Sequence, residues 1–251
     1  MGRIFITGDK HGDFFSPAFN LTSFCDKNAT TKDDILIILG DAGINYYVDE
    51  IAGECLQYKP QRGAKMLKKM IESLPITLFC IHGNHEARPE HIIGYHEKEW
   101  HGGVVYCEEE YPSILFAKDG EVYDFNAHST LVLGGAYSVD KYYRLARYNA
   151  GFHSYKWFPD EQMSEEMKER IREKYFHKHY DLILSHTCPQ KYEPVETFLP
   201  GIDQSQVDKS MEEFLGECEE NIRYDKWYCG HYHIEKMIDK LQFLFDKVIE
   251  V

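Results

Sequence analysis

A chain of 251 residues is long enough to bury a sizeable core in one α/β domain. Its 42 Asp and Glu against 28 Lys and Arg, a formal net charge of −14, argue against indiscriminate binding along a nucleic-acid backbone, which needs cations to displace condensed counterions. The seven cysteines, at 25, 55, 80, 107, 188, 218 and 229, form no C-x-x-C pair, which argues against a disulfide framework and a thiolate zinc site. No apolar run approaches the roughly 18–20 residues of a membrane helix. Met1-Gly2-Arg3 leads straight into an apolar stretch with no room for a cleavable signal, and Ile6 stands where a myristoylation pattern has Ser or Thr. A cytoplasmic protein with no membrane partner is therefore expected. No linker or repeat divides the chain, so residues 1–251 read as one domain of unspecified oligomeric state.

In chain order, Ile4-Phe5-Ile6 is the first buried strand, Ile35 to Leu39 the second and Leu78 to Ile81 the third. Between the last two, Lys65 to Ser73 sets Met66, Leu67, Met70 and Ile71 at helical spacing and stops at Leu74-Pro75. The first ninety residues thus alternate strand and helix as β-α-β units do. From Val104 the rhythm changes to short strands: Val104 to Cys107, Ser113 to Ala117, Glu121 to Phe125 and Thr130 to Leu133. The Lys118-Asp119-Gly120 turn between two of them predicts a hairpin. After Phe158-Pro159-Asp160, a helix is expected over Glu161 to Tyr175, acidic in its first turn and basic in its last. Leu182 to Leu184 and Trp227 to Cys229 read as strands on either side of a helix at Ser205 to Cys218, with Val207, Met211, Phe214 and Leu215 as its apolar positions. Ile234 to Val251 supplies closing strands.

Five of these strands run directly into polar clusters: Gly8-Asp9-Lys10-His11-Gly12-Asp13, Gly40-Asp41, Gly83-Asn84-His85-Glu86, Ser185-His186 and Gly230-His231-Tyr232-His233. Each offers oxygen or imidazole donors, and groups at strand ends can converge on one rim of a sheet. In its order D-x-H, G-D, G-N-H-[DE], H and G-H-x-H, the set resembles the calcineurin-like metallophosphoesterase superfamily over residues 4 to 233. The resemblance implies a four-layer α/β/β/α sandwich of two mixed β-sheets flanked by helices. It also implies a dinuclear metal-dependent phosphoesterase that hydrolyses a phosphodiester or small phosphorylated substrate, a nucleotide included, by direct attack of a metal-bridging hydroxide. On the matching positions, Asp9, His11 and His233 would hold one ion, Asp41 would bridge, and Asn84, His186 and His231 would complete the second. Asp41, Asn84 and His85 would form the catalytic group, with His85 on the substrate phosphate and the leaving oxygen.

The chemistry fits these residue types. Two ions about 3.5–4 Å apart lower the pKa of water and neutralise the oxygens of an in-line displacement, and a shared carboxylate holds them that close. A neutral Asn oxygen adds no negative charge, and the mixed nitrogen and oxygen set favours Mn, Fe, Zn or Ni over Mg or Ca. Histidine, with an ordinary pKa of about 6.5, can donate near neutrality. Asp13 and Glu86 are candidates to orient His11 or His85.

Protein serine/threonine phosphatases read G-D-x-x-D-R-G at the second cluster, where this chain has Ile44 and Asn45 in place of the Asp and Arg. A replacement cation is sought in Lys141 or Arg144, one helical turn apart after Gly134-Gly135. The aromatic pairs Tyr46-Tyr47 and Tyr142-Tyr143 and the run Tyr155-Lys156-Trp157-Phe158 offer rings that either stack on a base or pack between layers. His82, His91, His96, His101, His128, His153, His177 and His179 match no cluster and are expected to be surface or packing residues, with His82 and His153 the exceptions to watch. A protein phosphatase, a nuclease or a metal-binding scaffold is the alternative reading.

Overall fold

The computed structural model describes residues 2–53, 55–198 and 200–251. Two mixed sheets stack face to face with helices on both outer faces, the four-layer α/β/β/α sandwich. In the first sheet, β1 (Ile4–Thr7), β2 (Ile35–Ile38), β5 (Thr77–Cys80) and β8 (Tyr111–Ala117) run parallel. This core is extended on one side by antiparallel β7 (Gly103–Glu108) and β6 (Tyr95–Trp100). On the other side it is closed by β15 (Ile249–Glu250). The second sheet has β10 (His128–Leu133), β11 (His179–Ser185), β12 (Arg223–Cys229) and β14 (Leu241–Phe243) in parallel, edged by β9 (Val122–Phe125) and β13 (Lys236–Ile238). A small pair, β3 (Val48–Glu50) and β4 (Tyr58–Pro60), stands apart.

Strand period decides which layer each residue joins. Ile4 and Ile6, Ile35 and Ile37, and Phe79 and Ile81 face inward and meet Val132, Leu182 and Leu184 of the second sheet. Their neighbours Phe5, Leu36, Ile38 and Leu78 face outward onto α1 (Leu21–Asn28) and α2 (Arg62–Glu72). Ile183 and Trp227 face outward onto α4 (Glu165–Tyr175) and α5 (Ser210–Asn221). Cys80 and Cys229 are buried free thiols.

Several expectations shift. The Lys118-Asp119-Gly120 turn makes no hairpin: β8 stays in the first sheet and β9 begins the second. Asp119 is the reason, since its carboxylate accepts from Gly134 N (2.9 Å) and from the Arg88 guanidinium (2.6 Å), which ties the crossing down. The hairpin lies one strand later, where Asn126 and Ala127 both take positive φ (56° and 70°) between β9 and β10, as a two-residue primed turn demands. Helix α4 starts at Glu165, because the Ser164 hydroxyl caps Met167 N (3.2 Å). Helix α5 starts at Ser210, leaving Val207 outside it, because Asp208 accepts from Ser210 N (2.9 Å). On α2, Ala64, Lys68 and Ile71 are buried while Met66 and Met70 are exposed. The Lys68 ammonium is paired with Glu108 and lies 4.6 Å from the Tyr95 ring centroid, so a charged residue occupies a core position. Helix α1, capped by Asn20 on Ser23 N (2.9 Å), had no counterpart in the sequence reading.

Candidate metal centre

The ends of β1, β2 and β5 in one sheet and of β11 and β12 in the other open onto a common rim. There the chain brings together Asp9, His11, Asp41, Asn84, His85, His186, His231 and His233. Asp41 Oδ2 lies 3.5 Å from His186 Nε2, 3.9 Å from His11 Nδ1 and 4.0 Å from His85 Nε2. Asp9 Oδ2 lies 3.2 Å from His233 Nε2 and 3.8 Å from His11 Nε2, and the two imidazole nitrogens are 3.0 Å apart. On the other flank, His186 Nε2 is 2.9 Å from Asn84 Oδ1. The rings of His186 and His231 are 4.9 Å apart.

Second contacts aim these donors. His186 Nδ1 donates to Leu39 O (2.8 Å), which turns Nε2 toward the centre. Asn84 Nδ2 donates to Ser138 Oγ (2.8 Å), which turns the amide oxygen toward His186 Nε2. Asp41 Oδ1 accepts from His85 N (2.8 Å) and Asp9 Oδ1 from His231 N (2.9 Å), so only the Oδ2 atoms face the centre. The backbone is strained here: His11, Asp41, His231 and His233 all have positive φ, between 45° and 67°. Close approach explains the flanking glycines. A Cβ on Gly83 would lie 2.0 Å from Asp41 Oδ1, and one on Gly40 would lie 2.1 Å from His186 Nδ1.

Two overlapping groups of donors result, Asp9 with His11 and His233, and Asp9 with Asp41 and His186, each with ligating atoms mutually within 4.8 Å. Without a cation, His186 Nε2 meets Asn84 Oδ1 and Asp41 Oδ2 favourably only by carrying a proton between them. A divalent ion would take the place of that proton among an imidazole nitrogen, an amide oxygen and two carboxylates, a donor set that suits it, so the residues fit the group. The two carboxylates and the imidazoles set one another's charge. Burial alone would raise the Asp41 carboxyl, yet His186, His85 and His11 hold it well below the usual range. Burial lowers His186, but Asp41 and Asp9 outweigh that and lift it to about 9.

A model of the calcineurin-like phosphoesterases matches residues 2–235. The chain belongs to that family. The chemistry of calcineurin-like phosphoesterases is metal-dependent hydrolysis of phosphoric esters, and this member carries groups able to hold divalent ions. Comparison with curated proteins gives no match. No helix among the described residues is long and apolar enough to cross a membrane.

Other candidates fall elsewhere. Asp13 is exposed, with no side-chain hydrogen bond or ion pair to His11 or His85 among the described residues. Glu86 is buried and accepts from Ala42 N (3.2 Å), so it braces the Asp41 loop rather than an imidazole. Burial and the nearby Asp41 push its carboxyl up to about 8. Lys141 Nζ sits 4.2 Å from the Trp157 ring centroid in a neighbouring hollow. Arg144 Nε is held by Asp140 (2.7 Å) and its Nη1 donates to Tyr46 Oη (3.2 Å) and Lys156 O (3.3 Å). Asp140 borders the site beside His85. His82 is buried with neither ring nitrogen hydrogen-bonded among the described residues, and His153 is exposed against Tyr148. Ser138 and the Leu39 carbonyl were not anticipated. Ser138 follows Gly134-Gly135 after a strand, a signal that had been read only for its cations.

A cavity of about 260 Å³ leads away from Asp41, Asn84 and His85 between Val139 and Phe198. A larger hollow of about 700 Å³ lies at the opposite strand ends, along Lys32, Thr77 and Asn126, and contains none of these donors.

Proposed function

We propose that this protein is a dinuclear phosphoesterase acting on a phosphodiester or a small phosphorylated molecule. Asp9, His11, Asp41 and His233 would hold one ion, and Asp41, Asn84, His186 and His231 the other. Bound divalent ions would lower the pKa of water and neutralise phosphoryl charge. The observation that carries the reading is the convergence of Asn84 Oδ1 and Asp41 Oδ2 on His186 Nε2, at 2.9 and 3.5 Å, with Asn84 Nδ2 and His186 Nδ1 held by Ser138 and the Leu39 carbonyl.

The remaining chemistry belongs to the chain. His85 borders the cleft. Burial lowers it more than Asp41 raises it, so its pKa sits below the ordinary imidazole value. At neutral pH it offers a neutral N–H to a phosphoryl oxygen or to the departing alkoxide. Displacement at phosphorus is direct, by water, with no covalent phosphoenzyme. Ile44 and Asn45 occupy the positions of the protein-phosphatase Asp and Arg and are both buried, with Asn45 Oδ1 accepting from Tyr95 Oη (3.0 Å). Neither can meet a phosphoprotein, which favours a diester or small substrate.

Metal analysis together with a panel of bis-nitrophenyl phosphate, mononitrophenyl phosphate, cyclic nucleotides and a phosphopeptide tests the reading. Two ions per chain and preferential diester turnover are expected. Two ions without turnover of any panel member would instead support a scaffold, and no bound ion would remove the centre.

A further inference from the structure

Helix α3 (Lys141–Asn149) buries none of its residues, which is unusual for a helix, since most helical stability comes from a packed face. It opens a segment, 141–159, that contains no Asp or Glu in a chain with 42 of them, yet carries Lys141, Arg144, Arg147 and Lys156 and seven aromatic residues. The outermost rings are open to solvent: Tyr142 is 68% exposed, and Tyr143, edge-on to Tyr155, is 55% exposed. The cations are organised rather than scattered. The Arg147 guanidinium lies 3.8 Å from the Phe152 ring centroid and 5.1 Å from that of Tyr155. Arg144 links the segment to the proposed centre through Asp140, which borders the cleft with His85, and through Tyr46.

We propose that this face is a platform for single-stranded nucleic acid, which would lead a backbone phosphodiester toward the centre; it rests on the phosphoesterase reading for its purpose but not for its binding. Exposed rings receive unstacked bases whatever their sequence, and adjacent cations follow the phosphates. The overall charge of −14 disfavours a polyanion on the protein as a whole, so it sharpens the choice of a face without acidic residues of its own. Duplex DNA hides the base faces that Tyr142 and Tyr143 would meet. A membrane surface or a protein partner would use the same residues differently, and the test separates them.

The test uses the full chain in chelator, so that no hydrolysis intervenes, and follows the fluorescence anisotropy of a labelled oligothymidylate of about 16 nucleotides. With Arg144 neutralised by Asp140, three cations remain, and at about 0.7 per phosphate contact the slope of log affinity against log salt should be about −2. Replacing Tyr142 and Tyr143 together by Ala should weaken binding by about tenfold or more, with an unchanged thermal midpoint because both rings are exposed. Weaker binding of a duplex of equal length is also expected. The proposal is overturned by no binding at about 50 mM salt, by binding indifferent to the two tyrosines, or by capture on phosphatidylserine vesicles without oligonucleotide binding. A protein that binds the oligonucleotide but hydrolyses neither mono- nor diester once metal is restored refutes the phosphoesterase reading alone. One that hydrolyses bis-nitrophenyl phosphate but ignores the oligonucleotide refutes this inference alone.

Discussion

Replacing Asp41 with Asn keeps the size of a side chain that is 1% exposed, and keeps an oxygen for the His85 N–H at 2.8 Å. What it removes is the charge on Oδ2, which faces His186 at 3.5 Å and His11 at 3.9 Å. At an effective dielectric of about 20, two unit charges about 4 Å apart interact by about 4 kcal/mol, and a divalent partner doubles the term. Even the single-charge figure corresponds to about three decades of affinity. Asp41→Asn should therefore lose at least about a thousandfold in affinity for Mn, read by isothermal titration on metal-stripped protein. Turnover of bis-nitrophenyl phosphate should fall in parallel, while circular dichroism shows the fold intact. If the variant binds two ions within about tenfold of the parent affinity, Asp41 does not bridge and the arrangement proposed around it fails.

Gly83→Ala would set a Cβ 2.0 Å from Asp41 Oδ1 and 2.2 Å from Asp41 N. A melt should show a loss of about 1–3 kcal/mol, as for other overpacked sites, with metal affinity falling as well; an unperturbed variant would contradict the close approach. Glu212 is buried with Oε1 accepting from Thr187 (2.8 Å) and Oε2 without a partner among the described residues. Burial raises its carboxyl to about 7, so its contribution is fully present below the unfolded value of about 4.3 and is lost as pH rises through 7. Glu212→Gln should accordingly stabilise the protein above pH 7 by up to about 3 kcal/mol and flatten the dependence between those values, which denaturant titrations at several pH values would detect. Asp34 behaves oppositely. The Arg3 guanidinium, hydrogen-bonded at 3.0 Å, holds its carboxyl down at about 2, so its contribution is present above about 3.9 and lost as pH falls through 2. After discounting for the exposed Arg3, Asp34→Asn should cost about 1 kcal/mol at neutral pH and remove the acid-side slope; an unchanged acid limb would deny the pair that role.

The candidate ligands were legible because each is a short polar word at the end of a strand, and a strand's end fixes where its next residue points. The layer assignment was nearly as legible, since Ile4, Ile6, Ile35 and Ile37 alternate with Phe5 and Leu36 between two apolar environments. What misled was local signal answered by distant partners. Asp119-Gly120 looks like a hairpin turn until Arg88 and Gly134 claim the carboxylate. Lys68 looks solvent-facing until Glu108 and Tyr95 arrive from β7 and the start of β6. That Tyr142 and Tyr143 stay exposed, while Tyr46 and Phe158 pack together, depends on α3 meeting its neighbours with its cations and burying no face. No property of the helix's own residues reports that.

The rim draws on both sheets, with Asp9, Asp41 and Asn84 from the N-terminal one and His186, His231 and His233 from the other. During translation the first half can complete its β-α-β units while the last three imidazoles are still inside the ribosome. A nascent chain, or a proteolytic fragment cut between β8 and β9, therefore owns only part of the ligand set. Metal uptake by the proposed centre would then be a late event that reports the docking of the two halves, and a cell would meet the assembled centre only on chains whose synthesis had passed His233.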